Sequence, residues 1–91
     1  MKYTLREYYN KCFTEYYMKI DNKGKMKEGK GIIPYSICKD TEKIMKDYFS
    51  KHKRKNDMHI RVLYSNERKE VCNITLIGKR EYNNKRIGWC L

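Results

Sequence analysis

Two short apolar runs in the C-terminal half constrain the fold most. Met58, Ile60 and Val62 alternate with His59 and Arg61, and Cys72, Ile74 and Leu76 alternate with Asn73 and Thr75. Alternation with a period of two marks a strand with one buried face. Joined through the polar stretch 65–69, the runs pair Val62 with Cys72, Ile60 with Ile74 and Met58 with Leu76. That register gathers the apolar side chains on one side. A slip of one residue would set Arg61 opposite Ile74 among them.

A second hairpin extends the sheet. Asn83 and Asn84 can take the two positive-φ positions of a type I′ turn. The pairing then sets Arg80 opposite Ile87, Gly78 opposite Trp89 and Leu76 opposite Leu91. The indole would cover the bare Gly78. A three-stranded meander results, with Met58, Ile60, Val62, Cys72, Ile74, Leu76, Ile87, Trp89 and Leu91 on its apolar face.

Such a face needs a covering layer. Thr4 and Glu7 fit a capping box. Leu5, Tyr8, Tyr9, Cys12, Phe13, Tyr16, Tyr17 and Ile20 follow at helical spacing, which predicts an amphipathic helix from Leu5 to Lys19. Its aromatic stripe is read as a core face rather than a base-stacking surface. A second helix is expected from Asp40 or Thr41, either an acceptable N-cap, through Ile44, Met45, Tyr48, Phe49 and His52. It ends in the basic run KHKRK, residues 51–55.

Residues 21–31, DNKGKMKEGKG, read as a flexible basic loop. In GIIPYSIC, residues 31–38, Ile33, Tyr35 and Ile37 alternate and predict an edge strand over 32–37. Pro34 has no N–H, which restricts such a strand to an edge. The alternative is that Pro34 opens the second helix early. The expected fold class is α+β, with two amphipathic helices packed on one face of a small antiparallel sheet. At 91 residues the chain forms a single domain over 1–91, because a second core would not fit.

Charge sets the functional expectation. Lys and Arg number 22 and Asp and Glu 11, a formal net charge of +11. The candidate nucleic-acid-binding residues are Lys23, Lys25, Lys27 and Lys30 in the loop and Lys51, Lys53, Arg54 and Lys55 at the helix end. Arg61, Lys79, Arg80 and Arg86 join them from the sheet. Clustered cations of this kind track a phosphate backbone. The uncovered sheet face is expected to carry His59, Arg61, Asn73, Thr75, Lys79, Glu81 and Arg86, with Leu63, Val71 and Ile77. That face has no aromatic residue, so base stacking of the RNA-recognition-motif kind is not expected.

Cysteines lie at 12, 38, 72 and 90, with no C-x-x-C pair, and are read as reduced thiols rather than metal ligands. No G-x-S-x-G, P-loop or H-E-x-x-H motif occurs, so neither an enzyme nor a cofactor is expected. No run reaches the ~18 apolar residues of a membrane span. The start, MKYTLREYYNKC, has no apolar core of a signal peptide, and a cytoplasmic protein is expected. Ala and Gln are absent, while Lys, Asn, Ile and Tyr supply 41 of 91 residues. Their codons are AT-rich, which points to a low-GC genome, a phage or a mobile element.

Residues 60–82, IRVLYSNERKEVCNITLIGKREY, resemble the C-terminal hairpin of RelE/ParE-type toxins, including the GKRE turn at 78–81. The resemblance covers a quarter of the chain. It implies a ribosome-dependent mRNA endonuclease or a gyrase poison, with Arg61, Arg80 and Tyr82 as the active-site candidates. Three readings follow. The first is a non-enzymatic binder of nucleic acid (RNA or DNA) or of a nucleoprotein complex that acts by occlusion. An inhibitor of a host RNA-guided nuclease, an anti-CRISPR-like protein, is one concrete form. The second is the toxin. The third is a protein-interaction module whose charge serves solubility.

Overall fold

The computed structural model describes residues 4–85. The chain runs α1 (Leu5–Cys12), β1 (Phe13–Ile20), β2 (Met26–Gly29), α2 (Tyr35–Lys51), β3 (Met58–Ser65), β4 (Glu70–Ile77) and α3 (Lys79–Asn83). The strands form one antiparallel sheet in the order β2-β1-β3-β4. The α+β class with an antiparallel sheet stands, and the element list differs from the expectation in four places.

The first helix is short. Its capping box is present: the Glu7 N–H donates to Thr4 Oγ1 at 3.0 Å, and the Thr4 N–H donates to Glu7 Oε1 at 2.9 Å. These bonds hold the Glu7 carboxyl below its ordinary range, the Thr4 backbone N–H contributing most. The helix nevertheless stops at Cys12, and Phe13 turns to extended backbone at φ −133°, ψ 148°. Residues 13–20 become β1, a central strand with β2 and β3 on its two sides. Phe, Thr, Tyr and Ile favour the pleated surface, and pairing along both edges outweighs the helical spacing of their side chains.

Part of the expected loop is β2, an edge strand paired with β1 through Met18–Gly29 and Lys19–Glu28. The turn before it is built by Asp21, whose Oδ1 accepts from the N–H groups of Lys23 and Lys25, both at 2.9 Å.

No strand forms over 32–37. Pro34, at φ −56°, stands at the N-cap of α2, so the alternative reading of that proline is the one observed. Ile37, Thr41, Met45 and Phe49 are the buried residues of α2, spaced four apart in one row. Asp40 and Thr41 therefore lie inside the helix. The row packs on Met18, Ile20, Ile60 and Val62 of the central strands. Fully burying a side chain of this size stabilises the fold by roughly 1.5–3 kcal/mol.

The β3–β4 hairpin forms, shifted two residues from the expected register: Ile60 faces Leu76, and Val62 faces Ile74. A shift of two preserves which face each residue occupies. The register breaks where Leu63 pairs with Asn73 and Tyr64 with Val71, leaving Cys72 as the extra residue of a β-bulge. The bulge turns Val71 toward the core, where the unbroken alternation had placed it outward. Cys72 is exposed.

Beyond β4 the chain turns into α3 instead of a strand, with the Tyr82 N–H donating to the Gly78 carbonyl at 3.1 Å. The expected pairing of 78–82 does not occur. Arg86, Ile87, Trp89 and Leu91 lie outside the described residues.

The second sheet face also differs from expectation. Tyr17 of β1 and Tyr82 of α3 both sit on it, 4% and 1% exposed. The face is aromatic at its centre and roofed by α3.

Candidate nucleic-acid interface

Sheet topology brings distant basic segments to one end. There β1 finishes, β2 begins, β3 begins and β4 finishes. Lys19 faces Glu28 on one side and His59 on the other, and His59 faces Ile77. The turn 21–25, the segment 53–57 and the start of α3 all hang from this end.

Two contacts fix the arrangement. Asp57 Oδ2 lies 2.9 Å from Lys27 Nζ and 4.0 Å from Lys19 Nζ. One carboxylate thus ties β1, β2 and the connector that carries Lys53, Arg54 and Lys55. The bond and charge of Asp57 push the Lys27 ammonium pKa up, keeping it charged. Gly24 makes the second contact. It lies at φ +91°, and a Cβ there would sit 2.8 Å from the Lys46 backbone nitrogen. Only a glycine lets the turn rest this closely on α2. The turn thereby sets the exposed Lys23 and Lys25 beside the exposed Lys46.

The carboxylates at this end are engaged in building it. Asp21 caps the turn, Glu42 Oε2 accepts from the Met26 N–H at 2.9 Å, and Glu28 Oε1 accepts from the Tyr82 hydroxyl at 3.0 Å. Asp57 holds the two lysines. Lys23, Lys25, Lys53, Arg54 and Lys55 all remain exposed. Arg54 also donates to the Tyr48 hydroxyl at 3.1 Å, which anchors the connector to α2. His59 adds no charge near neutral pH. Burial lowers its pKa, and the nearby Lys19 and Lys79 lower it further.

The other sequence candidates differ in setting. Lys51 pairs with Asp47 at 3.7 Å on the α2 surface. Lys79 and Arg80 are exposed on α3, just past β4. Lys30 holds its ammonium 4.6 Å from the centre of the Tyr82 ring. Arg61 lines a separate cleft of about 610 Å³ on the second sheet face, with Arg6, Tyr9, Glu15, Tyr17, Glu81 and Lys85. In that cleft Glu15 accepts hydroxyls from Tyr9 at 2.9 Å and Tyr17 at 3.2 Å, and Lys85 Nζ stands 4.5 Å from the Tyr17 ring centre.

Tyr82 is packed on His59 with ring centres 4.6 Å apart. Burial, and then the bond to Glu28, push its phenol pKa far above the ordinary value. It is a structural pillar of the second face, closed to a substrate. Sequence reasoning missed Lys19, Lys46 and Asp57 as members of the basic end. Asp57 is visible as the first acid after KHKRKN, but Lys19 comes from a segment whose spacing predicts a helix and Lys27 from one that reads as a loop.

Cys12, Cys38 and Cys72 are free thiols, and burial, with Glu42 nearby, raises the Cys38 pKa. Among the described residues no three His, Cys, Asp or Glu side chains group to hold a metal, and no helix is long and apolar enough to cross a membrane. No protein-family model matches the chain, and neither the curated proteins nor the solved structures compared with it give a match.

Proposed function

We propose that this protein binds nucleic-acid phosphates through the basic end of its sheet, without catalysis, and acts by occluding a nucleic acid or a nucleoprotein complex in the cytoplasm. One observation carries the reading. Lys23, Lys25 and Lys27 converge with Lys53, Arg54 and Lys55 from segments about thirty residues apart, and the carboxylates around them are held in structural bonds. Cations in one continuous patch can meet successive phosphates, whereas cations spread evenly for solubility have no reason to converge. An inhibitor of an RNA-guided nuclease is a concrete form of such occlusion, supported by the small size and the charge of +11. The toxin reading draws less support, because burial withdraws Tyr82 from its three proposed active-site residues.

A salt series tests the proposal. Affinity for single-stranded RNA and for duplex DNA is measured between ~50 and ~500 mM salt. Six cations on phosphates give a log–log slope of roughly −4 for single-stranded RNA and about −5 for duplex DNA. A flat dependence would contradict the proposal. Cleavage of either nucleic acid, alone or on ribosomes, would favour the toxin.

A further inference from the structure

We propose that the cleft on the second sheet face binds a nucleoside monophosphate unit, free or within a single strand, with its phosphate on Arg61 and its base against Tyr9. The cleft measures about 610 Å³, within the range of small-molecule sites. None of its lining residues belongs to the basic end, so the inference stands apart from the phosphate-backbone reading. The sheet provides the floor, where Tyr17 of β1 faces Arg61 of β3. Arg6 and Tyr9 come from α1, Glu81 from α3 and Lys85 from just past it.

Arg61 is the residue that calls for a ligand. It is partly buried on a central strand, and a guanidinium drawn out of water is ordinarily paired with a carboxylate. Among the described residues neither Arg61 nor Arg6 nor Lys85 makes an ion pair. Glu15 is committed to the phenols: its Oε2 accepts the Tyr9 hydroxyl at 2.9 Å and its Oε1 the Tyr17 hydroxyl at 3.2 Å. Lys85 rests its ammonium over the Tyr17 ring, 4.5 Å from the centre. The three cations outnumber Glu15 and Glu81, which leaves the cleft with positive charge to spare. A phosphate answers it, since the guanidinium fork pairs with two of its oxygens at once. The rim adds the second half of the ligand. Tyr9 is 38% and Leu5 91% exposed, and Phe13 backs the Tyr9 ring with centres 5.3 Å apart. An inorganic ion would leave this aromatic margin bare, whereas a base covers it by stacking. Asn10 offers an amide donor and acceptor to the edge of that base.

Calorimetric titration with AMP, GMP, CMP and UMP at ~150 mM salt is the test. At least one nucleotide binds with a Kd below ~1 mM, and ribose 5-phosphate binds about tenfold more weakly or worse. Arg61→Gln and Lys85→Ala, each with its fold checked by circular dichroism, weaken nucleotide binding roughly five- to tenfold. Lys85→Ala, outside the sheet, serves where Arg61→Gln fails to fold. Lys23→Ala with Lys25→Ala leaves nucleotide binding unchanged, whatever it does to duplex DNA. Competition by a single-stranded trinucleotide assigns the cleft to a nucleotide within a strand, and its absence to the free nucleotide. Failure of all four nucleotides to bind overturns the proposal. So does ribose 5-phosphate binding as tightly as they do, or nucleotide binding that is indifferent to Arg61→Gln and Lys85→Ala.

Discussion

Asp57 Oδ2 stands 2.9 Å from Lys27 Nζ, and that bond joins two basic segments thirty residues apart in the chain. With Lys19 at 4.0 Å on its other side, the carboxylate holds together two ammoniums that would otherwise repel. All three side chains are partly exposed, so the pairs contribute at most about 1 kcal/mol to stability. Their consequence is placement. Asp57→Asn should leave the melting temperature within a few degrees and strengthen nucleic-acid binding, since two ammoniums are released to phosphate. Weaker binding in a folded Asp57→Asn protein would mean that the carboxylate orients the site more than it neutralises it.

Lys53, Arg54 and Lys55 are exposed, and only Arg54 reaches back, to Tyr48. Their joint replacement by Ala should lower affinity for RNA or duplex DNA about tenfold or more at low salt and flatten the salt slope by roughly two to three units. Stability should change little. A collapse of the fold in circular dichroism would show the run to be structural.

Gly24→Ala should destabilise the fold by about 1–3 kcal/mol, because alanine at this positive φ is strained and its Cβ meets backbone. Urea unfolding measures the loss. Wild-type stability would mean that the turn does not rest on α2.

Tyr82 supports the second sheet face. Tyr82→Phe keeps the ring on His59 and loses the bond to Glu28, at a cost of about 1 kcal/mol. Tyr82→Ala should cost about 3–5 kcal/mol. Its phenol keeps its proton more tightly when folded than when unfolded. That contribution is full below the unfolded value near 10 and is lost as pH rises above it. Alkaline destabilisation should be shallower in Tyr82→Phe.

His59 works in the opposite direction. Its folded pKa is lowered by burial and by Lys19 and Lys79, so the unfolded chain takes up the proton first. The stability present above about 6.5 falls as pH drops through that value toward the folded pKa. Thermal melts from pH 8 to 5 should show this fall in the wild type and a smaller one in His59→Gln. Equal slopes would place the ring in water.

The β3–β4 hairpin was legible because one of its faces is buried and one is not. β1 was not, for the opposite reason. As a central strand it buries Met18 and Ile20 toward α2 and Tyr17 toward α3, so its apolar residues fall on both faces and mimic a helical stripe. Of the two-residue register shift, one residue comes from the turn that pairs Ser65 with Glu70 and one from the bulge at Cys72, which no local pattern announces. Pro34 suits either an edge strand or a helix start, and the buried row Ile37, Thr41, Met45 and Phe49 decided it. Lys23, Lys25, Lys27, Lys53, Arg54 and Lys55 were readable in the chain as candidates, and Lys19 and Lys46 were not. Their convergence was not, because it depends on Lys19 ending a strand rather than a helix.

Under the proposed function, position and not net charge alone governs phosphate binding. Two variants remove two cations each, from turns at opposite ends of the sheet. Lys23→Ala with Lys25→Ala strips the basic end. Arg68→Ala with Lys69→Asn strips the far turn, with Asn chosen because Lys69 lies at φ 55°. Affinity for duplex DNA is measured for both across the same salt series. The first pair should weaken binding and flatten the slope by about one to two units, while the second should leave both close to wild type. Equal losses from the two ends would contradict the proposed function.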